Sequence, residues 1–165
     1  MRVLNDRLER LFREYSSQLF VSALAVTGCA ERAEDAVQEA FCRLFRLQHK
    51  PRHLKAYVFR SVRNAAWDQL RRRPPRQFEI TQGLFDPADD PGKTAAENEF
   101  KHDVVLAMNS PSDDERETVI NHLYADLSFR EIAISREVSV NTVSSWYRRG
   151  IEKLRKLLEK HHERV

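Results

Sequence analysis

In LSFREIAISREVSVNTVSSWYRRG, residues 127–150, two serines each stand at the head of an apolar stripe. Ser128 is followed three residues later by Glu131, the spacing at which a serine hydroxyl and a glutamate carboxylate satisfy each other's backbone N–H at a helix start. Ser139 precedes a second apolar stripe, Val140, Val143, Tyr147, Ile151, Leu154 and Leu158, at helical intervals. Each cap contributes about 1 kcal/mol. Between a helix beginning near 129 and another near 140 there is room only for a tight turn, which is the helix-turn-helix pattern. With Val143, Tyr147, Ile151 and Leu154 turned inward, the 3.6-residue period directs Asn141, Ser144, Ser145 and Arg148 outward, with Thr142 and Arg149 toward the sides. Asparagine pairs bidentately with adenine, arginine with guanine and serine with either, each good bidentate pair giving roughly 1–3 kcal/mol of discrimination. Thr142 and Arg149 are better placed for phosphate. A lone arginine pair would read as a solvated helix face. The caps, the tight turn and the terminal stripe together favour duplex DNA.

Working outward, Ser112 and Glu115 repeat the capping signature, and Phe100, Val104 and Met108 predict a short helix that stops before Pro111. Further upstream, RRRPPRQFEITQGLFDPADDPGKT, residues 71–94, breaks all periodicity with prolines, glycines and acids and reads as the end of a helix followed by a flexible linker. Before it lie three apolar stripes: Leu8, Leu11, Phe12, Tyr15 and Leu19, ending near Gly28; Ala33, Val37, Ala40, Phe41, Leu44 and Phe45; and Leu54, Val58, Val62 and Ala65. The expected fold is therefore all-α: a small helical domain over 1–75, a linker over 76–95, and a second helical domain over 96–165 that contains the helix-turn-helix.

Composition narrows the function. The net charge of +3 hides a segregation, with +8 on residues 1–76, −9 on 77–135 and +4 on 136–165. Two basic ends around an acidic middle suit a protein that touches a polyanion at two separated places, although solvated charge explains any single run. The longest apolar run, LFVSALAV at 19–26, is too short to span a bilayer, and MRVLNDRLER lacks a signal-peptide core, so no membrane insertion and a cytoplasmic location are expected. Cys29 and Cys42, without a CxxC or paired histidines at ligand spacing, predict neither a disulfide framework nor a metal site. His161 and His162 read as part of a basic tail, after which too little chain follows for a large regulatory domain.

Two further surfaces emerge. In LKAYVFRSVRNAAWDQLRRR, residues 54–73, Arg60, Arg63, Asn64, Trp67 and Arg71 lie opposite the apolar stripe. Cations interleaved with an aromatic suit unpaired nucleic acid, where a base stacks on a ring and arginines hold the backbone; a Trp beside an apolar stripe is equally a core residue. Asp68 can orient Arg71 or Arg72, or accept from a cytosine amino group. The preceding loop QHKPRH, 48–53, adds Lys50 and Arg52 around Pro51, as a cradle for a displaced base or as solvated charge. In RAEDAVQEAFCRLF, 32–45, Asp35, Gln38 and Glu39 share a face that repels DNA and suits a basic protein partner; Glu39 with Arg43 also reads as a plain surface ion pair.

In this order the pieces resemble the bacterial sigma factors of the extracytoplasmic-function (ECF) group, in the sigma-70 family, in which sigma domains two and four are joined by a linker. The resemblance covers nearly the whole chain. It implies an alternative sigma factor that binds core RNA polymerase and both promoter elements, with an anti-sigma factor as a further partner, no cofactor and no catalytic residue. RAEDAVQEAF resembles the stretch that grips the clamp helices of the largest polymerase subunit, which assigns Asp35, Gln38, Glu39 and Phe41 to polymerase. AYVFRSVRNAAWDQLRRR resembles the segment that melts and reads the −10 element, which assigns Asn64, Asp68 and Arg71 to Arg73, with the loop 48–53 where a flipped base is captured. Together with the pattern reading, the −10 set is Lys50, Arg52, Arg60, Arg63, Asn64, Trp67, Asp68, Arg71 and Arg72. Residues 127–158 resemble the helix-turn-helix that reads the −35 duplex, with Glu131, Ile132, Ala133, Ser139, Thr142 and Val143 in its frame and the set Asn141, Thr142, Ser144, Ser145, Arg148 and Arg149 on DNA. The apolar face of the helix beginning near 113 falls where the family contacts the polymerase flap.

The departures are specific. Arg136 and Glu137 stand where the family has leucine and then glycine; a non-glycine left-handed residue costs roughly 1–2 kcal/mol, so a rebuilt turn is expected. Ser110-Pro111 stands for Leu-Pro, with one extra residue before Arg116, and Ser144 and Trp146 stand where a lysine and an arginine are common. The competing reading is a stand-alone helix-turn-helix regulator, which leaves the helix over 54–73 without a role. An enzyme, such as a helical nuclease, lacks a phosphate loop, metal-ligand spacing or a nucleophile with a placed base.

Overall fold

Residues 2–74 and 107–163 are described by the structure, a computed structural model, and among them stand six helices and no strand. α1 (Arg2–Thr27), α2 (Ala30–Leu44) and α3 (Leu54–Arg72) form one bundle; α4 (Asp113–Leu123), α5 (Phe129–Arg136) and α6 (Val140–His162) form a second. The expected linker and the positions Phe100 and Val104 lie outside the described residues. The end of that apolar repeat is helical at Ala107 and Met108, and both are buried. No helix among the described residues is long and apolar enough to cross a membrane.

In the first bundle the predicted stripes bury Leu8, Leu19, Val37, Phe41, Leu44, Val58 and Val62 in one core. α1 ends at Gly28, whose φ of 64° only glycine adopts freely, and Gly28 N–H returns to Leu24 O at 2.8 Å. Within α1 the chain bends at Tyr15 (φ −116°, ψ 15°), immediately before Ser16 and Ser17, residues of weak helix propensity. Phe12, expected inside, is 42% exposed and meets Phe41 edge-on at 4.9 Å. It lies at the rim of the bundle instead of in it.

The second bundle bears out the caps. Ser112 and Glu115 close one capping box and Ser128 and Glu131 another, while Ser139 Oγ accepts from Thr142 N–H at 3.1 Å. The rings of His122, Phe129 and Tyr147, one from each of α4, α5 and α6, meet with centroids 4.6–5.1 Å apart. The His122 ring nitrogen Nδ1 lies 2.8 Å from Leu127 O and, facing a carbonyl, is the donor.

The turn is not rebuilt. Glu137 takes the left-handed conformation itself, at φ 54° and ψ 42°. Its N–H reaches Ile134 O at 3.3 Å and Val138 N–H reaches Ala133 O at 3.0 Å, which satisfies the last carbonyls of α5 and offsets the strain. Arg136, in the leucine position of the resemblance, has only 8% of its side chain exposed; it binds Asp114 and Glu117 and lies 4.9 Å from the Trp146 ring centroid. Two departures from the family pattern therefore touch each other, through a cation–π contact.

The bundles pack together, α4 on α1 and α5 on α3. The core of the first continues without a break into Ala125, Leu127, Ile132, Ala133 and Val143 of the second, and a smaller cluster joins Ala25 to Met108, Val119 and Ile120. Arg116 donates from Nε to Ala25 O at 3.1 Å, supplying the terminal turn of α1 with the cation that α1 lacks there.

Gly150 holds α6 against α4: a Cβ there would lie 2.7 Å from Val119 Cγ2 and 3.3 Å from Glu115 O. Val119 is branched and fully buried, so it cannot swing aside. Gly150→Ala gains about 1 kcal/mol of helix propensity but loses about 1–3 kcal/mol to overpacking. A lower melting temperature by circular dichroism is the expected result, against the rise that propensity alone predicts.

Candidate nucleic-acid interface

α3 presents its apolar stripe to the core and a polar face away from it, and that polar face is divided in two. On one flank, the second bundle supplies an acid for each cation. Lys55 Nζ lies 2.8 Å from Glu131 Oε1, and Arg60 Nη1 lies 2.6 Å from Glu137 Oε1. Arg63 meets both oxygens of Glu117, from Nε at 2.5 Å and from Nη2 at 3.3 Å. Trp67 donates from Nε1 to the same carboxylate at 3.2 Å, with Arg63 stacked 5.6 Å from its ring centroid. Glu117, whose side chain is 1% exposed, takes a further bond from Arg136 at 3.4 Å. Trp67 is thus half-buried between bundles, packed on the core and hydrogen-bonded at its polar edge.

The other flank stays open. Asn64, Arg71 and Arg72 are exposed, as are Lys50 and Arg52 in the loop. Asn64 lines a recess of about 140 Å³ with Arg43, Leu44, Leu47, Tyr57 and Ser61, beside that loop. Asp68 accepts from Arg71 and lies 3.5 Å from Arg43; the Arg71 hydrogen bond above all holds its carboxyl below the usual range. The orienting role expected for Asp68 is therefore present.

On α6, Asn141, Ser144 and Arg148 are exposed and Thr142 is half-buried at the side, as the helical period requires, whereas Ser145, expected outward, is half-buried as well. Arg149 is exposed and also makes a contact between helices. Its Nε donates to Glu115 Oε1 at 3.2 Å, while Lys153 holds the other oxygen at 2.6 Å, so Arg149 joins α6 to α4. Thr142 engages the Ser139 hydroxyl at 2.9 Å within the cap.

The acidic face of α2 separates likewise. Asp35 and Gln38 are exposed, but Glu39 pairs with Arg43 of its own helix and is drawn to α3 by Gln69 at 3.3 Å and Arg72 at 3.6 Å. Phe41 is buried and forms the wall of an apolar groove of about 390 Å³ with Phe12, Phe45 and Gln38. Phe12 and Phe45 complete this surface and were not among the residues singled out; two phenylalanines on helical stripes read as core, and only their position on the outer rim of the bundle exposes them.

Two basic helical surfaces stand on one chain, one of helix-turn-helix type and one with an aromatic among its cations, and they define its class as an all-α chain of two bundles with two separate basic faces. Residues 11–74, which end just past α3, match the family Sigma-70 region 2. Over 159 residues the chain is 29% identical to the ECF RNA polymerase sigma factor SigE of Mycolicibacterium smegmatis, covering 93% of this chain but 62% of that protein, so the chain spans less than two thirds of its relative. The sigma factor RpoE of Bartonella quintana, solved in complex with the anti-sigma factor NepR, shares the fold with a TM-score of 0.67 at 24% identity, over 96% of this chain and 98% of that one. CnrH, solved with the cytosolic domain of CnrY, gives a TM-score of 0.67 at 21% identity over 92% and 87% of the two chains. The α1–α3 bundle thus matches Sigma-70 region 2, and the chain is similar to an ECF sigma factor, in line with the resemblance of its sequence.

The pairing between bundles sets a pH window. Burial pushes the Glu131 carboxyl up, but the bonds from Lys55 and from Ser128 outweigh it and hold the group below its ordinary range. Burial pulls Lys55 down, and Glu131 and Tyr15 outweigh that in turn, raising it. Glu115 is likewise held low, the bonds from Lys153, Ser112 and Arg149 outweighing its burial. A depressed carboxyl contributes stability that is complete above its unfolded value, about 4.3, and lost as pH falls through the folded one; a raised lysine contributes until pH climbs past its folded value, beyond about 10.4. Stability should be level between these limits. Glu131→Gln, which keeps a capping box, should shallow the acid limb of a melting-temperature profile by an amount equivalent to at most about 1 kcal/mol, with the Glu115 share remaining.

Proposed function

We propose that this chain is an alternative sigma factor that directs promoter-specific initiation by core RNA polymerase, and that it catalyses nothing itself. One observation carries this reading: a sigma-70 region 2 and a helix-turn-helix with an outward-facing Asn141, Ser144 and Arg148 occur in one chain. Residues 1–75 would form the domain that binds polymerase and the −10 element, 76–95 the linker and 96–165 the −35 domain. The polymerase clamp helices would dock on Asp35 and Gln38 and over the groove walled by Phe12, Phe41 and Phe45, where an exposed acid and amide border apolar surface. Glu39, paired with α3, supports this surface from behind.

The melted −10 strand would lie on the open flank of α3, held by Arg71 and Arg72 with Lys50 and Arg52, with a base in the recess beside Asn64; Arg60, Arg63 and Trp67 would extend the surface. The −35 duplex would be read by Asn141, Ser144, Ser145 and Arg148, with Thr142 and Arg149 near phosphate. The polymerase flap would take the apolar face of α4, and an anti-sigma factor would be a further partner, as NepR is for RpoE. A cytoplasmic location goes with this role.

In vitro transcription of fragmented genomic DNA by core polymerase, with and without the chain, should reveal new RNA 5′ ends that share two upstream elements. Asp35→Lys should reduce those transcripts at least about tenfold while leaving helical circular dichroism intact, because it places a cation against a basic partner without touching an internal contact. Absence of new starts, with tight duplex binding by the chain alone, would favour a stand-alone regulator. Once the −35 element is known, Asn141→Ala and Arg148→Ala should each relax it by about 1–3 kcal/mol at one position, measured by competition binding.

A further inference from the structure

The second bundle carries the helix whose outward face would read duplex DNA, yet residues 107–163 hold nine Lys and Arg against ten Asp and Glu, a net charge of −1. A domain that grips a polyanion by charge carries a clear basic excess. Here the cations are spent inside the bundle. Arg116 meets Asp113, Arg136 meets Asp114 and Glu117, and Arg149 and Lys153 take one oxygen each of Glu115. Arg155 and Lys156 pair along α6 with Glu159 and Glu152. Among the described residues of this bundle, Arg130, Arg148 and Lys160 are the cations that make no ion pair. Lys160 stands about 18 Å beyond Arg148 along the helix, well away from the reading face.

The face itself is largely neutral. Asn141 and Ser144 are exposed, and their side chains make no hydrogen bond to another part of the chain. An amide and a hydroxyl offer directional donors and acceptors to base edges but neutralise no phosphate. One turn past Arg148 the same side presents Glu152 with Lys156 at 3.0 Å, a pair that brings no net charge to DNA.

We propose that the second bundle binds duplex DNA by hydrogen bonds to base edges, with Arg148 and Arg130 as its working cations, and that Ser144 sets this mode. A neutral side chain between Asn141 and Arg148 withholds the phosphate contact that a lysine there would make. This rests on reading α6 as the duplex-reading helix. Binding of this kind releases few counterions, so it is weak on arbitrary sequence, tolerant of salt and discriminating.

The test uses the full chain and two probes: a short fluorescein-labelled duplex that the chain selects from a random-sequence pool, and an unselected duplex of the same length. Affinities are read by fluorescence anisotropy between about 50 and 200 mM salt. Affinity for the selected duplex should fall only about 3- to 12-fold across that range, the loss for one or two neutralised phosphates, where six or more would give about a thousandfold. Arg148→Ala should remove roughly threefold of that loss. Ser144→Lys, at an exposed position, should add roughly threefold to it and raise affinity for the unselected duplex roughly fivefold, so that the preference for the selected sequence shrinks.

Unchanged salt dependence and preference in Ser144→Lys, with helical circular dichroism intact, would overturn the role of Ser144. A loss of roughly a hundredfold or more in the unsubstituted chain would overturn the binding mode, and two double variants locate the cause. If Arg149→Gln with Lys153→Gln flattens it, those cations leave Glu115 for phosphate and α6 remains the reader. If Arg71→Ala with Arg72→Ala flattens it, the duplex lies on α3 and the assignment of α6 falls as well. A pool that yields no enriched duplex would overturn that assignment outright, and the proposal with it.

Discussion

A buried carboxylate fixes how the two halves of this molecule meet. Taking the Glu117 charge out of water costs several kcal/mol, and a structure retains it only where both oxygens are filled. Here the fillers come from two directions, Arg63 and Trp67 from α3 and Arg136 from α5, while the acid belongs to α4. The orientation of the bundles is thereby tied to hydrogen-bond geometry as well as to the less directional apolar contact around Ala25, Met108, Val119 and Ile120. Arg60–Glu137 and Lys55–Glu131, nearer to solvent, add little energy one by one but set the register along α3.

The same acid accounts for the unusual turn. A leucine at position 136 would pack on apolar neighbours; Arg136 instead needs counter-charges, and Asp114, Glu117 and the Trp146 ring provide them. Trp146 in turn stands where the resembled family often places a cation, and the cation found here is Arg136 in the turn, shielded against that ring. Glu137 completes the pattern by placing a carboxylate at a strained position that faces Arg60. These positions are coupled physically, and their effects on stability will not add independently.

Local pattern disclosed the helices and their starts, because caps and stripes are short-range codes: Ser112, Ser128 and Ser139 all cap as read, and Val143 turns inward as read. It also placed Asn141, Ser144 and Arg148 outside. What it could not disclose were partners distant in sequence. Glu39, Arg149, Arg60 and Arg63 look alike on a helical wheel, yet each is bound to a residue distant in sequence. Phe12 misled for the complementary reason, since an apolar stripe wider than its neighbours can cover leaves its edge exposed. The charge segregation held a usable signal: an acidic middle between two basic ends describes a chain able to neutralise itself as readily as one that touches a polyanion twice.

Self-neutralisation bears on selectivity. Non-specific affinity for DNA grows with the number of phosphates a protein can neutralise, each contact releasing a counterion, and that term is indifferent to sequence. On the proposed sigma-factor reading, a free α3 would offer its whole series of cations to any duplex. With Lys55, Arg60 and Arg63 occupied by Glu131, Glu137 and Glu117, that contribution would fall, while the exposed Asn141, Ser144 and Arg148 of α6 would lose nothing. The ratio of specific to non-specific binding, which decides occupancy among many competing sites, would thus be raised by interactions that never touch DNA. The acids of α4, of α5 and of the turn after it would weaken the chain's hold on nucleic acid in general, and for that reason would sharpen its choice among sites.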